Sequence, residues 1–431
     1  MSGDGAGERS HHARGVVGIP LLYALGAVAA GVVVPRLEAH FLPGLNARAS
    51  AGAALALLSA IASGMLPLTG LVFSLAFVMV QFSATAYSPR LVSWFAGSAV
   101  MSHSLGVFTA TFLYALAAIV WVDRGGSGNV PALTLWVAIL LLLASVVFFV
   151  LLVDKLALLQ ISHVLTYVGD QGRAVIERDY AHFPAAAGAP ADIAAPAVEL
   201  AAVSQLVAHH GGPAVVQRID VSGLAALASP AQAIVAVAAA VGDTLIDGMP
   251  LVRVHGGASL DERKLRRLVK LGDERTFEQD PKYAIRILVD IAIRALSPAV
   301  NDPTTAVQAL DQVEDLLLRL GRHDLANGRA RDASGNLRVV FPVPSWEDFL
   351  VLAFDEIRFH GATSIQVMRR MRALLVDLMG QVPAERRPAL ERYLERVDAG
   401  IRSSFPEGDD RKDALDEDRQ GLGVSREQRR G

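Results

Sequence analysis

The apolar positions of the chain follow two different patterns, and the change falls near Asp154. Before it stand four long apolar runs: Val16 to Val34, ahead of Pro35-Arg36; Ala51 to Phe82; Leu105 to Val122, ahead of Asp123-Arg124; and Leu133 to Val153, ahead of Asp154-Lys155. A bilayer core about 30 Å thick needs about 20 apolar residues in a helix. The pattern therefore predicts a transmembrane domain of four helices over 16–154, after a short tail at 1–15. As drawn, no run contains an Asp, Glu, Lys or Arg. Such groups are the usual mark of proton and ion pathways in a membrane, so a proton-coupled transporter is disfavoured. The second run carries Gly64, Pro67 and Gly70. It reads as a long tilted helix with a kink, or as a broken helix lining a cavity. Ser59, Ser63, Thr69 and Ser74 could line such a path. Arg9 and Arg14 before the first run, with Ala27-Val28-Ala29 inside it, also allow a cleaved signal peptide, for which the run is long.

Past Lys155 the period becomes amphipathic. Leu156, Leu159, Ile161, Val164, Val168 and Val175 recur at helical spacing, which predicts a connector helix over 155–183. Pro184 to Pro196, rich in Ala, Pro and Gly, reads as a linker. Short apolar runs follow. Ala214–Asp220 and Ala233–Val237 read as strands, and Gly242–Val254 as turn, strand, turn, strand. These make a small β-rich module over 184–260, in which His209 and His210 read as loop residues. From 261 to 405 the helical period returns. Helices are predicted from Pro281 to about Leu296, from Pro303 to about Leu320, from Trp346 to about His360, from Ser364 to Met379 and from Ala384 to about Ile401. Residues 406–431 are charged, with few large apolar groups, and read as a disordered tail. The fold class expected is thus a membrane α-helical domain followed by a soluble α+β domain, with a small β-module and a helical bundle.

Candidate chemistry concentrates between Gly272 and Asp315. Asp280 and Pro281 open one helix, and Asp302 and Pro303 open the next, as N-cap and first-turn residues should. Arg286, Asp290 and Arg294 recur at four-residue spacing and can form ion pairs along one helix face. Asn301 suits the turn between the helices. Arg275, Glu278, Asp280, Arg286, Asp290, Asn301, Asp302, Thr304 and Thr305 form the candidate polar site. Each has a structural role available as capping, turn or ion-pair residue. Together they also offer carboxylates beside arginines, able to bind a metal ion or a phosphorylated substrate.

Composition narrows the function. The 431 residues are 52% hydrophobic, the net charge is −3, and there is no cysteine. Disulfides, thiolate metal sites and cysteine nucleophiles are excluded, and no basic field invites nucleic acid. No Walker A loop, GxGxxG, HExxH or GxSxG motif is present. No cofactor and no metal site are expected. Arg9, Arg14, Arg90 and Lys155 on one side of the spans outnumber Arg36, Arg48 and Arg124 on the other. This bias puts both termini, and the soluble domain, on the cytoplasmic side of an inner (plasma) membrane.

The stretch from Ile287 through Ser297-Pro298-Ala299-Val300-Asn301-Asp302-Pro303-Thr304-Thr305-Ala306 strongly resembles a bacterial family of predicted membrane proteins, domain of unknown function 2254. The likeness extends to Arg275–Asp280, to Gln81-Phe82-Ser83 with Ser88-Pro89-Arg90, and to Leu105-Gly106-Val107-Phe108 with Tyr114. It implies four N-terminal spans and a soluble C-terminal region, and carries no catalytic residues with it. Three functions stay open. The first is a homo-oligomeric channel- or sensor-like assembly in the lipid bilayer, with a cytoplasmic regulatory domain. The second is a membrane adaptor or scaffold. The third is a membrane-bound enzyme with its site at the Arg275–Thr305 hairpin.

Overall fold

The structure is a computed structural model, and it describes residues 5–41, 50–86, 99–122, 130–157, 161–180, 200–325 and 328–423. The chain divides into two compact units, Met1–Gln160 and Ile161–Gly431. Arg48, Arg90, Asp123-Arg124 and the Pro184–Pro196 linker lie outside the described residues.

Among the described residues, the first unit contains four helices: α1 (Gly5–Phe41), α2 (Ala51–Ala86), α3 (Ala99–Ile119) and α4 (Ala132–Ala157). Each holds a stretch long and apolar enough to cross a bilayer: Gly18–Phe41, Ala51–Leu75, Val100–Ile119 and Ala132–Asp154. α3 packs against the other three. Its buried residues Ser104, Phe108, Thr111, Tyr114, Ala115 and Ala118 recur every three or four positions, so one face of α3 fills the middle of the unit. Large apolar side chains such as Leu22, Phe73, Phe77 and Leu140 point outward, as helices that face lipid require. Hydroxyl groups tie α3 to α4. Thr111 and Ser145 hydroxyls lie 2.8 Å apart, Ser104 Oγ donates to the Phe148 carbonyl at 3.3 Å, and the Tyr114 hydroxyl donates to the Thr134 carbonyl at 3.2 Å.

Two expectations about this unit are corrected. Pro35-Arg36 does not end the first helix; α1 continues through Pro20 and Pro35 to Phe41. The span Gly18–Phe41 therefore contains Arg36 and Glu38. Both charges find partners far along the chain. The Arg36 guanidinium sits 5.4 Å from the centre of the Trp121 ring. The Glu38 carboxylate is only 4% exposed; it accepts the Leu133 and Thr134 amides at 2.8 and 3.0 Å and the Thr134 hydroxyl at 3.0 Å. The first turn of α4 is thus capped from α1, 95 residues away along the chain. Pro67 lies inside α2, which runs unbroken from Ala51 to Ala86. α3 begins earlier than expected, which brings in His103; the Tyr23 hydroxyl meets its Nδ1 at 3.1 Å.

The second unit combines two sheets with a helical layer. It opens with α5 (Ile161–Asp179), followed by strands β1 (Val203–Ala208) and β2 (Ala214–Ile219) and the short helix α6 (Val221–Ala228). Strands β3 (Ile234–Val237), β4 (Thr244–Leu245) and β5 (Pro250–His255) follow, then α7 (Glu262–Leu268) and β6 (Val269–Gly272). Next come α8 (Pro281–Ala295), α9 (Pro303–Gly321), β7 (Arg329–Arg331), β8 (Leu337–Val340), α10 (Trp346–His360), α11 (Ile365–Gln381), α12 (Arg387–Ser404) and α13 (Asp409–Leu415). One sheet has the order β1-β5-β3-β8-β7 and the other β4-β2-β6. All pairs are antiparallel except β3 with β8.

The strands therefore do not stop at 260. β6, β7 and β8 come from the stretch read as helical, and β8 sits beside β3 within the larger sheet. The connector helix also differs from expectation. α5 buries Val164, Leu165, Val168, Val175 and Ile176 and packs on α8 and α9 inside the second unit. Of the expected stripe, Val164, Val168 and Val175 are buried and Ile161 is half-buried, but what the stripe covers is not visible in its own sequence. The tail read as disordered carries α13, and Ala414 and Asp418 are buried as it packs on α11. Composition misled here because ion pairs to α11, rather than apolar area, hold the segment.

Candidate functional site

α8 carries Arg286 and Asp290 and is capped by Asp280, and its start is the most built-up part of the candidate region. β6 ends at Gly272 against β2, and the chain then turns through 273–280. Glutamine side chains anchor that turn. Gln279 Oε1 accepts the Ile219 amide at 2.8 Å, and its amide nitrogen donates to the Ile219 carbonyl at 3.3 Å, extending the edge of β2. Gln217 Nε2 donates to the Glu274 carbonyl at 2.8 Å. Phe277 packs edge-on to Tyr167 of α5 at 6.4 Å and lies 4.9 Å from the Tyr283 ring.

At the end of the turn Asp280, 2% exposed, caps α8 by accepting the Tyr283 amide at 3.2 Å. Arg275 Nε donates to Asp280 Oδ2 at 2.8 Å, and its guanidinium lies 5.4 Å from the Tyr283 ring centre. Gly242, at φ +91°, passes so close that a Cβ there would fall 2.5 Å from Asp280 Oδ2. Burial pushes the Asp280 carboxyl up from the ordinary range, with Arg275 acting against the shift. Tyr180, at the end of α5, is pushed up too, by its own burial and by the charges of Asp280 and Asp179. It stays a neutral phenol at physiological pH.

A cleft of about 380 Å³ opens beside this pair. The end of α5 gives it Arg178, Asp179 and Tyr180; the first turn of α8 gives Asp280 and Lys282; β7 gives Arg329; and Phe341 to Pro344 form an apolar wall. A second cleft of about 440 Å³ shares Arg178, Asp179, Ile219, Val221 and Gln279 with it and adds Glu278. Glu278 Oε1 meanwhile accepts Lys270 Nζ at 2.9 Å.

The candidate residues are thus not one cluster. Glu278 pairs with Lys270, while Arg275 and Asp280, in the same turn, meet at the start of α8. Arg286 and Asp290 sit midway along it, 2.5 Å apart. Arg286 also grips Glu356 of α10 with two bonds of 2.5 and 2.9 Å. These carboxylates, Glu356 foremost, hold Arg286 charged. Asn301, Asp302, Thr304 and Thr305 lie past the far end of α8, whose 15 residues span about 22 Å at 1.5 Å per residue. Asn301 takes a left-handed φ of +48° in the turn. Asp302 caps α9, accepting the Thr305 amide at 3.1 Å and the Thr305 hydroxyl at 2.6 Å. Thr304 is exposed and Thr305 buried. Among the described residues, no three His, Cys, Asp or Glu side chains are grouped to hold a metal ion. His209 closes its own turn, its Nε2 lying 2.8 Å from the Gly212 carbonyl.

Sequence reasoning missed Arg178, Tyr180, Lys282 and Arg329. Lys282 stands two residues past a named N-cap. The others come from the end of α5 and from β7, segments that no motif or period ties to α8.

Comparison with known proteins agrees with the architecture. An uncharacterized protein of Mycobacterium tuberculosis (strain H37Rv) is 27% identical over 399 residues, which cover 90% of this chain and 75% of the relative. An uncharacterized protein of Mycobacterium bovis matches to the same extent. No solved structure matches. The family described as "Predicted membrane protein (DUF2254)" matches residues 14–377. With four apolar helices leading into an α+β unit, and with that match across most of its length, the chain belongs to the DUF2254 family of predicted membrane proteins.

Proposed function

We propose that the protein is a sensor-like membrane assembly, in which four spans hold a regulatory unit that binds a small polar ligand. The observation that carries this reading is the 380 Å³ cleft beside Asp280. Several separate segments of the second unit converge on it, with cations, carboxylates, a phenol and an apolar wall. A cavity of that size suits a small molecule. The channel reading has less support, because the buried face of α3 fills the middle of the first unit; a pore would need several copies. The enzyme reading is weakened because Arg286, Asp290 and Asp302 are committed to partners within the fold.

The reading includes a homo-oligomer in the plasma membrane with the second unit in the cytoplasm. Its test uses the full chain in lipid nanodiscs, melted in the presence of a panel of small charged metabolites. At least one class should raise the melting temperature of the second unit, and Tyr180→Phe with Lys282→Ala should remove the effect. A panel that stabilises nothing, or stabilises the double variant equally, defeats the ligand reading. The nanodisc mass tests assembly, and a clean monomer defeats that part.

A further inference from the structure

The residues after α12 carry a charge pattern that the cleft does not use. From 407 to 423 there are seven carboxylates against three cations. The segment lies on α11, whose 17 residues hold Arg369, Arg370 and Arg372 against a single carboxylate, Asp377. Arg370 faces away, to Asp311 and Glu314 of α9. Arg369 and Arg372 face the segment. Arg369 donates to the Asp413 carbonyl and lies 3.3 Å from its carboxylate. Arg372 pairs with Asp398 of α12 and reaches Glu417 at 3.8 Å. Arg419 closes the far side, gripping Asp377 with two bonds of 2.7 and 2.9 Å. The loop is tied internally by Asp418, which accepts the Gln420 amide at 3.0 Å and the Gly423 amide. Gly421, at φ +71°, lets this turn lie against the Gln366 carbonyl.

Little apolar area backs these contacts. Ala414 is buried, but Leu422 stands exposed. A seven-residue helix does not hold itself together in water, and the Arg419–Asp377 pair, exposed on the arginine side, is worth about 0–1 kcal/mol. What holds the strap is its cover over Arg369 and Arg372, which lie nearly buried beneath it. Beneath it, Arg372 Nε finds no hydrogen-bond partner among the described residues. The strap covers this basic surface without satisfying all its donors.

We propose that residues 407–423 are a self-ligand occupying a basic docking face on α11, built on Arg369 and Arg372, and that this face takes an acidic segment of a partner protein when the strap lifts. Charge complementarity sets the partner class: a short, carboxylate-rich peptide, not a metal ion or a nucleic acid. The ionic contacts make the exchange sensitive to salt.

The test uses the full chain in nanodiscs and an Asp413→Lys, Glu417→Lys double variant, which alters the strap and leaves the docking face intact. The probe is a fluorescein-labelled synthetic peptide of residues 407–423, followed by anisotropy at low salt. Because the strap of the parent competes, the variant should bind at least about tenfold more tightly. Arg369→Ala with Arg372→Ala in the variant should abolish binding, and an unrelated peptide of alternating Glu and Ala should displace the probe. Equal binding by parent and variant overturns the proposal, as does failure of the unrelated peptide to compete. Hydrogen exchange on α13 must show the strap released in the variant; a strap that stays down also overturns it. A chain ending at Phe405 serves as the second open form and must behave as the double variant does.

Discussion

The two units solve one problem, the open first turn of a helix, with the same group in different ways. In the second unit α8 and α9 are capped by Asp280 and Asp302, each the residue just before its helix. In the first unit α4 is capped by Glu38, which reaches across from α1. A local cap forms with its helix and fixes only that helix. A cap from another helix forms only when both helices are placed, so it also fixes their packing. Among the described residues of the first unit, the polar side chains that bridge helices serve this second purpose. Outward-facing apolar residues cannot hold its helices in register, since lipid tails solvate them as well as neighbouring helices do.

The comparison is tested most severely at Glu38. Glu38→Ala orphans two amides and a hydroxyl in a buried place and should cost about 3 kcal/mol. It should be read from unfolding of the first unit in detergent with increasing SDS; a cost below that of a local cap would end the contrast. Asp280→Ala removes a cap and leaves Arg275 partly buried without its carboxylate, for about 2–3 kcal/mol in thermal melts of the second unit. Asp302→Ala loses a cap at a half-exposed turn and should cost about 1 kcal/mol in the same melts. If Asp302→Ala proves the costlier of the two, the buried pair at α8 contributes less than its geometry implies. Thr111→Val deletes a hydroxyl contact between α3 and α4 and should cost about 0.6 kcal/mol, the average for such contacts inside membranes.

Acid and base sharpen the picture at Asp280. Its carboxyl is raised in the fold, so its contribution to stability is present at low pH, below the ordinary carboxylate value, and is lost as pH rises through the raised value. Stability of the second unit should decline over that window, and Asp280→Asn, which keeps an acceptor for the Tyr283 amide, should flatten the decline. Superimposable pH profiles of parent and variant would mean that Arg275 offsets the burial in full.

The two caps also show what could be read in advance. Asp280-Pro281 and Asp302-Pro303 announce helix starts because an N-cap acts within three residues, and both helices begin where the sequence places them. The four spans were legible for the same reason: about 20 apolar residues in line is a local property. Trp346–His360 was legible too, since Ser345 and Asp348 make a capping box around its start. Of the candidate site, the Arg286–Asp290 pair followed from four-residue spacing, but the grip of Glu356 on Arg286, 70 residues away, did not.

What the sequence determined by itself is therefore what acts over one or two helical turns: the number of spans, the starts of α8, α9 and α10, the strands β2, β3 and β5, and the polar turn before α8. Only tertiary structure decided the rest. It carried α1 through Pro35, where Glu38 meets the first turn of α4 and Arg36 the Trp121 ring just past α3. It folded α5 into the second unit, laid β8 beside β3, drew Tyr180 and Arg329 to the cleft of Asp280, and pinned an acidic tail onto α11. In each case the deciding contact joins residues far apart in the chain, where no period or motif couples them and only the closed fold brings charge, donor and acceptor within about 3 Å.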